Sequence, residues 1–295
     1  MNIVKPKKLK KGDCIGIIAP CGLFKSHARL DKAVEFFKKE GFRVKVSKHL
    51  FDQDRYLAGT DEIRAKEIEE FFIDEDVDAI ICARGGYGAI RIIDKLDYSM
   101  IRANMKPFCG FSDVTALSTM LLKRAGLVTF SAPMINGDFG NDISDFTWKS
   151  FKTALMKNQI ITYESDGKIY KDGDGVGISF GGNLATLVSL CGTDFLPNEG
   201  FILFIEDLNE PAYKIDRMLS QLLNIEKFRR YLRGVVLGEF TNDENPEFLD
   251  RVFEDFAKRV EVPVISGFKI THSKDKITVP IGVPAQIKDG KFILA

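Results

Sequence analysis

The chain contains 295 residues, and its 42 lysine and arginine residues balance 42 aspartate and glutamate residues. A neutral chain has no overall field that would attract nucleic acid or an acidic membrane surface, so neither is expected as a partner. No run approaches the roughly 20 apolar residues of a membrane-spanning helix, and the N-terminus lacks the apolar segment of a secretory leader. These features predict a cytoplasmic protein, long enough for two domains of ordinary size.

Cysteine and histidine are sparse. Five cysteines occur, an odd number without a CxxC pair, and the three histidines are scattered. Most of the cysteines lie in apolar runs and are expected to be buried, reduced thiols. No spacing typical of metal ligands is present, so neither a metal nor a cofactor is predicted.

Strand and helix patterns alternate through the first half. The predicted strands cover residues 14–19, 42–47, 78–83, 106–111 and 127–130, and the predicted helices cover 28–40, 61–72, 114–124 and 145–156. Ser26 is suited to cap the first helix. This alternation predicts a parallel sheet with helices on both faces, in which ligands bind at the edge where the strands end. The loops at that edge are APCG (19–22), RGGYG (84–88), GFSD (110–113) and SAPM (131–134).

The pattern changes after residue 160. Aspartate-glycine pairs, typical of turns, occur at 166–167, 172–173 and 174–175. The change places a boundary between an N-terminal α/β domain, residues 1–160, and a C-terminal α/β or α+β domain, residues 161–295. The second domain is richer in strands, predicted at 201–205, 235–240, 262–268, 277–281, 285–288 and 291–294, with helices near 184–190, 214–223 and 246–259.

Ser112 stands in the sequence Gly110-Phe111-Ser112-Asp113, where a buried strand turns sharply into a helix. Such a turn lifts a serine hydroxyl to the edge of the sheet and places it at a helix N-terminus, where free N–H groups favour negative charge. The N–H of Asp113 is then placed to help hold an oxyanion. The segment departs from GxSxG, and a serine that only caps the helix would give the same pattern.

The glycine-rich loop Gly85-Gly86-Tyr87-Gly88 follows a predicted buried strand. Glycines allow close approach of a ligand and leave backbone N–H groups unobstructed. The loop fits a simple tight turn, a phosphate-binding loop, or the second half of an oxyanion hole through the N–H of Gly86. It lacks both the GxGxxG spacing and the lysine and hydroxyl of a P-loop.

A serine nucleophile needs a base, and histidine is the usual one. His272 lies in a polar loop, residues 269–275, between two apolar runs, which hold the loop at both ends. His27 and His49 fit ordinary surface positions. His272 is therefore the best candidate for the base.

The base needs an acid that orients it. Glu206 directly follows the apolar strand 201–205, so its carboxylate is held rigidly and is partly desolvated. Asp207 and Glu210 are local rivals, and Glu206 at a solvent-exposed strand end would give the same pattern.

Taken in order along the chain, these motifs resemble the LD-carboxypeptidase family of serine peptidases. The resembling segments are 15–20, 83–88 (ARGGYG), 110–115 (GFSDVT), 181–184 (GGNL), 204–207 (FIED), 213–219 (YKIDRML), 234–240 (GVVLGEF) and the loop from His272 to Pro280-Ile281-Gly282. Each motif is common alone, whereas the ordered set covers nearly the whole chain. The family includes murein tetrapeptide carboxypeptidases and peptidases that give immunity to microcin C.

The resemblance implies a flavodoxin-like N-terminal domain and a smaller C-terminal domain, with the active site between them. It implies Ser112 as nucleophile, His272 as general base and Glu206 as its partner, with an oxyanion hole formed by the N–H groups of Gly86 and Asp113. It also implies a homodimer.

The implied reaction is hydrolysis of the bond between the L-centre of a diamino acid and a terminal D-alanine, in a small peptide that ends in a free carboxylate. Such a substrate requires a cationic or N–H-rich pocket. Arg84 is a candidate for that pocket, and an ion pair within the fold would explain its presence equally well.

Three alternatives remain open at this stage. A microcin-immunity-like peptidase would cleave a peptidyl or aminoacyl nucleotide analogue and would need an aromatic surface for the base; Trp148 is a candidate, although core packing explains it better. A non-catalytic two-domain binding protein would need a cleft but no nucleophile. An enzyme that uses RGGYG as a phosphate loop would be stabilised by nucleotides.

Overall fold

Two β-sheets with surrounding helices form the part of the chain that the computed structural model describes, residues 2–241 and 245–295. The strands are β1 (Cys14–Ile18), β2 (Arg43–Val46), β3 (Ala79–Cys82), β4 (Phe108–Cys109), β5 (Thr129–Ser131), β6 (Ile161–Glu164), β7 (Ile169–Lys171), β8 (Gly175–Asn183), β9 (Phe201–Leu208), β10 (Leu232–Thr241), β11 (Val264–Ile265), β12 (Val279–Ile281), β13 (Pro284–Lys288) and β14 (Lys291–Leu294). The helices are α1 (His27–Lys39), α2 (Asp61–Ile73), α3 (Tyr98–Ala103), α4 (Val114–Met120), α5 (Asp145–Met156), α6 (Leu184–Ser189), α7 (Ala212–Leu223), α8 (Glu226–Tyr231) and α9 (Pro246–Lys258).

The first sheet has the strand order β2-β1-β3-β4-β5-β12. The first five strands are parallel, and their order is that of the flavodoxin fold. Strand β1 is buried along its whole length, as expected for a sheet covered on both faces. The predicted flavodoxin-like sheet is confirmed, and with it the position of the four loops at one edge.

The second sheet contains eight strands in the order β6-β14-β13-β8-β9-β10-β11-β7. Its central strands β8 to β11 are parallel, and the flanking strands are antiparallel. Residues Phe201–Ile205 of β9 have no exposed surface, so this strand forms the core of the sheet. The predicted strand-rich second α/β unit is confirmed.

The chain passes into the second sheet at Ile161, next to the predicted boundary, but it later returns to the first. Residues 277–281 were expected to belong to the C-terminal domain, whereas β12 pairs with β5 in the first sheet, antiparallel to it. The division into residues 1–160 and 161–295 stays a prediction, and one strand of the C-terminal part completes the N-terminal sheet.

Local patterns predicted most helices well. Ser26 caps α1, because its hydroxyl accepts a hydrogen bond from the backbone N–H of Arg29. The helix predicted over 114–124 was only partly correct. It is α-helical to Met120, continues as a π-helical turn over Leu121–Ala125, and ends at Gly126, whose φ of 70° lies in the left-handed region.

Among the described residues, no helix is long and apolar enough to cross a membrane. All five cysteines are free thiols, and four of them are buried, as predicted. Burial raises the pKa of the thiols of Cys21, Cys82 and Cys109.

Glu67 is a buried carboxyl group on α2 that accepts hydrogen bonds from the backbone N–H of Ala19 and from the hydroxyl of Ser47. Burial raises its pKa from the usual 4.5 to about 7. Between these values the folded chain keeps a proton that the unfolded chain has lost, so the free energy of unfolding falls as the pH rises through this window.

We expect Glu67→Gln to be as stable as the wild type at pH 4 and more stable at pH 8. The pKa difference corresponds to a gain of about 3 kcal/mol, because the amide keeps both hydrogen bonds without an ionisation cost. Urea unfolding at the two pH values measures the gain, with the exposed Glu75→Gln as control. A gain of equal size at both pH values would show that ionisation of Glu67 is not the cause.

Candidate active site

Ser112 lies at the sharp turn between β4 and α4. Its φ is 62°, in the left-handed region that residues with a side chain rarely adopt. A conformation of this kind costs about 1–3 kcal/mol and recurs at functional sites. The sequence predicted that Ser112 lies at the start of the helix. In the structure, Asp113 is the capping residue and Ser112 precedes it, with its carbonyl accepting a hydrogen bond from the N–H of Thr115.

The glycine loop lies directly against this turn. A Cβ atom placed on Gly85 would be 2.9 Å from the Cβ of Ser112 and 3.1 Å from the backbone nitrogen of Asp113. Gly86 has a φ of 102°, and the carbonyl of Gly85 accepts a hydrogen bond of 3.0 Å from the N–H of Gly22. The loops after β1, β3 and β4 therefore meet at one point.

The two N–H groups proposed for the oxyanion hole are free. Within residues 2–241 and 245–295, neither the N–H of Gly86 nor that of Asp113 donates a hydrogen bond to another group of the protein. A pair of free N–H groups beside a strained serine is the arrangement that holds developing negative charge on a substrate oxygen.

The side chain of Asp113 holds the glycine loop in place. Its buried carboxylate accepts a hydrogen bond of 2.9 Å from the N–H of Ala89, one residue beyond the loop. Burial raises the pKa of Asp113, and its hydrogen bonds to Ala89 and the Cys21 thiol oppose that rise. The same residue thus presents its N–H to the site and anchors the loop that carries the other N–H.

His272 and Glu206 are joined by a hydrogen bond of 2.7 Å between Nδ1 and Oε2. Glu206 is only 2% exposed at the end of β9, so its carboxylate has little freedom to move. The ring of His272 lies edge-on to Phe111, the residue before Ser112, with ring centroids 4.9 Å apart. The structure therefore brings the predicted base and acid together beside the predicted nucleophile.

The third link of the triad stays a prediction. In the described part of the chain, no hydrogen bond joins the hydroxyl of Ser112 to His272. Catalytic hydrogen bonds are often long without substrate and tighten in the complex.

The two rival carboxylates have other partners. Asp207 is buried and accepts hydrogen bonds from the side-chain amide of Asn183 and from the N–H of Ala185. Burial raises its pKa to about 6. Glu210 lies 3.2 Å from the ammonium of Lys214. Asp207 therefore holds the start of α6 in place and does not orient His272. The GGN motif before the helix could have indicated this role.

The loop of His272 is anchored by a second acid, which the sequence did not single out. Glu239 accepts hydrogen bonds from the hydroxyls of Thr271 and Ser273, at 2.7 and 3.1 Å. Both flanking residues of His272 are thus fixed to β10.

Arg84 is half-buried, and its Nη1 donates to the carbonyl of Leu23 at 3.1 Å. Its Nη2 lies 3.2 Å from the position of a Cβ on Gly86, so the guanidinium packs against the glycine loop. The structure places Arg84 next to the candidate oxyanion hole, and its role toward a substrate stays a prediction.

A cleft of about 390 Å³ borders His272 and is lined by Gly137, Asp138, Asn141, Asp142, Ile143, Ser273 and Lys274. A larger cavity of about 530 Å³ lies at the opposite edge of the first sheet, among Lys7, Lys106 and their neighbours, and none of the predicted catalytic residues lines it. The smaller cleft is thus the one that borders the candidate base, and His272 is the predicted catalytic residue among its lining residues. No group of three His, Cys, Asp or Glu side chains in the described ranges is arranged to hold a metal ion.

Trp148 is buried, with 7% of its surface exposed. It packs edge-on against Phe36 and in a stack with Phe151, and its Nε1 donates to Glu40. Core packing is therefore its role, and it offers no free face to a nucleotide base.

We expect Gly85→Ala to lower kcat by roughly 100-fold, because its methyl group would displace Ser112 and a shift of about 1 Å at reacting atoms has this effect. Turnover and the labelling rate with a fluorophosphonate, which reacts with activated serines, would both measure it. Wild-type rates in this variant would show that the loop does not need to approach the nucleophile so closely.

Comparison with known proteins gives the same picture over the whole chain. Residues 15–132 match the family model of the LD-carboxypeptidase N-terminal domain, and residues 176–287 match that of the C-terminal domain. A probable murein peptide carboxypeptidase of Bacillus subtilis is 39% identical, over 95% of this chain and 90% of the relative. The microcin C7 self-immunity protein MccF of Escherichia coli is 30% identical, over 95% of this chain and 91% of the relative.

The fold comparison agrees with the sequence comparison. The crystal structure of an MccF-like protein from Bacillus anthracis superposes with a TM-score of 0.90 at 29% identity, covering 99% of both chains. The predicted enzyme class, a serine-type hydrolase of the carboxypeptidase kind, is confirmed at the level of the family. This chain belongs to the LD-carboxypeptidase family, whose two domain models it matches in order.

Proposed function

We propose that this protein is a serine carboxypeptidase that removes the terminal D-alanine from murein tetrapeptides, using Ser112, His272 and Glu206. The observation that carries the proposal is the 2.7 Å hydrogen bond from His272 to the buried Glu206, formed beside a serine with φ of 62°. The relative with 39% identity, a probable murein peptide carboxypeptidase, supports the substrate.

The proposed mechanism follows from the geometry. Because Nδ1 of His272 faces Glu206, Nε2 is the nitrogen left to accept the proton of Ser112 as its oxygen attacks the scissile carbonyl. Glu206 holds the tautomer and stabilises the imidazolium that forms. His272 then donates the proton to the leaving amine of D-alanine, and water hydrolyses the acyl-enzyme by the same route.

The oxyanion of the intermediate is placed against the N–H groups of Gly86 and Asp113. One such donor contributes about 2.7–4 kcal/mol in a comparable site. Both are backbone groups held by the turn and by the Asp113 carboxylate, so they need no rearrangement when the charge develops. We propose Arg84, which packs on the same loop, as a contact for the terminal carboxylate of the substrate.

A second candidate function is cleavage of peptidyl or aminoacyl nucleotide analogues, as in microcin immunity. The match to the E. coli self-immunity protein and the fold of the MccF-like protein favour it. The burial of Trp148 removes the aromatic surface that the sequence offered for a base. We therefore place the murein substrate first.

The test is a side-by-side assay of the two substrate types. The purified protein is incubated with a tetrapeptide ending in a diamino acid and D-alanine, with the same peptide ending in L-alanine, and with an aminoacyl nucleotide analogue. Mass spectrometry should show loss of one alanine from the first peptide only. Cleavage of the nucleotide analogue alone would transfer the assignment to the second function.

We also propose that the protein acts in the cytoplasm as a homodimer. The five free thiols support a reducing compartment, and the dimer rests on the resemblance to the family. Light scattering coupled to gel filtration would measure the mass of the particle, for which a dimer of 33.1 kDa chains is expected.

A further inference from the structure

A buried ion pair fastens the His272 loop to the N-terminal part of the molecule. Lys276, four residues after His272, is 5% exposed, and its ammonium binds the carboxylate of Asp138, which is 4% exposed. Asp138 belongs to a π-helical turn, Ile135–Phe139, that follows β5 of the first sheet. Its second oxygen accepts a hydrogen bond of 2.8 Å from the N–H of Met134.

The pair also contacts the residue next to the nucleophile. The ammonium of Lys276 lies 4.8 Å from the ring centroid of Phe111, and that ring meets the imidazole of His272 edge-on. Lys276, Phe111 and His272 thus form a continuous set of contacts. A displacement of Lys276 would be transmitted to both the base and the serine turn.

A second, uncharged contact ties the same stretch of chain to α5. The hydroxyl of Thr147 accepts a hydrogen bond of 3.0 Å from the N–H of Lys276 and donates one of 3.1 Å to the carbonyl of Lys274. Thr147 is fully buried. The backbone just after His272 is therefore fixed to the part of the chain that carries Ser112.

Burial makes this ion pair a poor source of stability. Removing two charges from water costs about as much as their attraction returns, and apolar replacements of such pairs are often as stable or more so. What an ion pair supplies that an apolar contact lacks is a defined distance and direction. The pair lies between the His272 loop and the Ser112 turn, where the distance between base and nucleophile decides the catalytic rate.

We propose that Asp138 and Lys276 are positioning residues that set the distance between His272 and Ser112. Neither touches the reacting atoms in the proposed mechanism, so both act through the loop and through Phe111. This role rests on the proposed triad: the ion pair would hold His272 and Glu206 at the correct distance from Ser112.

The test is the double variant Asp138→Leu/Lys276→Met, which removes both charges and leaves no unpaired charge in the interior. We expect cooperative unfolding to be retained and KM for the tetrapeptide to change by less than about 3-fold. The fall in kcat and in fluorophosphonate labelling of Ser112 should be roughly 10- to 100-fold, because misplacement of about 1 Å has this effect. A folded double variant with wild-type kcat and labelling rate would overturn the proposal.

Two further variants separate positioning from stability. Thr147→Val removes the uncharged contact alone and should lower kcat by a smaller factor, about 3- to 10-fold. Lys106→Met is the matched control: its half-buried ammonium donates to the carbonyls of Asp74 and Val77 at the opposite edge of the sheet, so its loss should lower the melting temperature and leave kcat unchanged. If Lys106→Met lowered kcat as much as the double variant, a general loss of rigidity would explain both.

Failure of this inference is distinguishable from failure of the proposed function. If the wild type neither cleaves the tetrapeptide nor is labelled at Ser112, the triad itself is wrong, and the positioning role falls with it. If the wild type is active and Ser112→Ala is not, but the double variant keeps its rates, only the positioning role is wrong.

Discussion

Ser112→Ala should abolish turnover of the tetrapeptide and leave the fold intact. The hydroxyl is the proposed attacking group, and removal of the serine from a comparable triad lowers kcat by roughly 10⁶-fold. Alanine at this position still has to adopt a φ of 62°, so the backbone strain is unchanged and the unfolding midpoint should stay close to that of the wild type. Steady-state kinetics and thermal unfolding measure the two effects.

Ser118→Ala is the matched control for this variant. Ser118 is a fully buried serine on the same helix, α4, and its hydroxyl has no hydrogen-bond partner among the described residues. Because no hydrogen bond is lost, the control should keep full activity and equal or slightly higher stability. Turnover by Ser112→Ala above 1% of the wild-type rate, roughly 10⁴ times more than expected, would remove Ser112 from the role of nucleophile.

Glu206→Gln should lower kcat by about 10⁴-fold, the effect of the equivalent change in other serine triads. The carbonyl oxygen of the new amide can accept a hydrogen bond from Nδ1–H of His272 only if the NH₂ group takes the position of Oε1. In the wild type, Oε1 has no hydrogen-bond partner among the described residues, so the NH₂ group would be buried without an acceptor. If the amide is reversed, its NH₂ faces Nδ1 and selects the wrong tautomer of His272. Either way, the carboxylate that stabilises the imidazolium is lost.

The readout for Glu206→Gln is kcat with the tetrapeptide, together with KM. We expect KM to change little, since Glu206 lies behind His272 and is buried away from the cleft. Asp207→Asn is the comparison: it removes the neighbouring carboxylate, which binds Asn183 and Ala185, and should cost stability more than activity. If Asp207→Asn lowered kcat more than Glu206→Gln, the proposed assignment of the orienting role to Glu206 would be wrong.

Local sequence signals predicted the first sheet and its site edge because the buried strands β1, β3 and β4 carry no polar side chains other than thiols and each loop at that edge contains glycine or serine. The positions of α1, α2 and α5 followed from caps and spacing. The short helices α3 and α8, of six residues each, were missed, whereas α6, which has the same length, was predicted. The strand predicted over 262–268 was too long, since only Val264–Ile265 pairs with a neighbour.

In the candidate site as well, only residues with a local sequence signal were predicted. Ser112, Glu206 and His272 stood out because each follows or joins apolar strands, and the resemblance to the family gave them roles. The Asp138–Lys276 pair did not stand out, because residues 138 apart in the chain carry no local sign of their contact. The contact depends on the antiparallel pairing of β12 with β5 in the first sheet, which brings the residues after β5 next to those before β12 and which no local spacing pattern encodes.

The return of β12 to the first sheet has a consequence for synthesis of the chain. During translation, β5 emerges more than 140 residues before its antiparallel partner, Val279–Ile281, leaves the ribosome. Until then the edge of the sheet beside Ser112 has unpaired N–H and carbonyl groups, a template for pairing with other chains. The same strand follows His272 by only seven residues, so the pairing of that edge and the arrival of the proposed base occur together, late in synthesis. Under the proposed mechanism, a nascent chain therefore cannot hydrolyse its substrate before these last strands have left the ribosome.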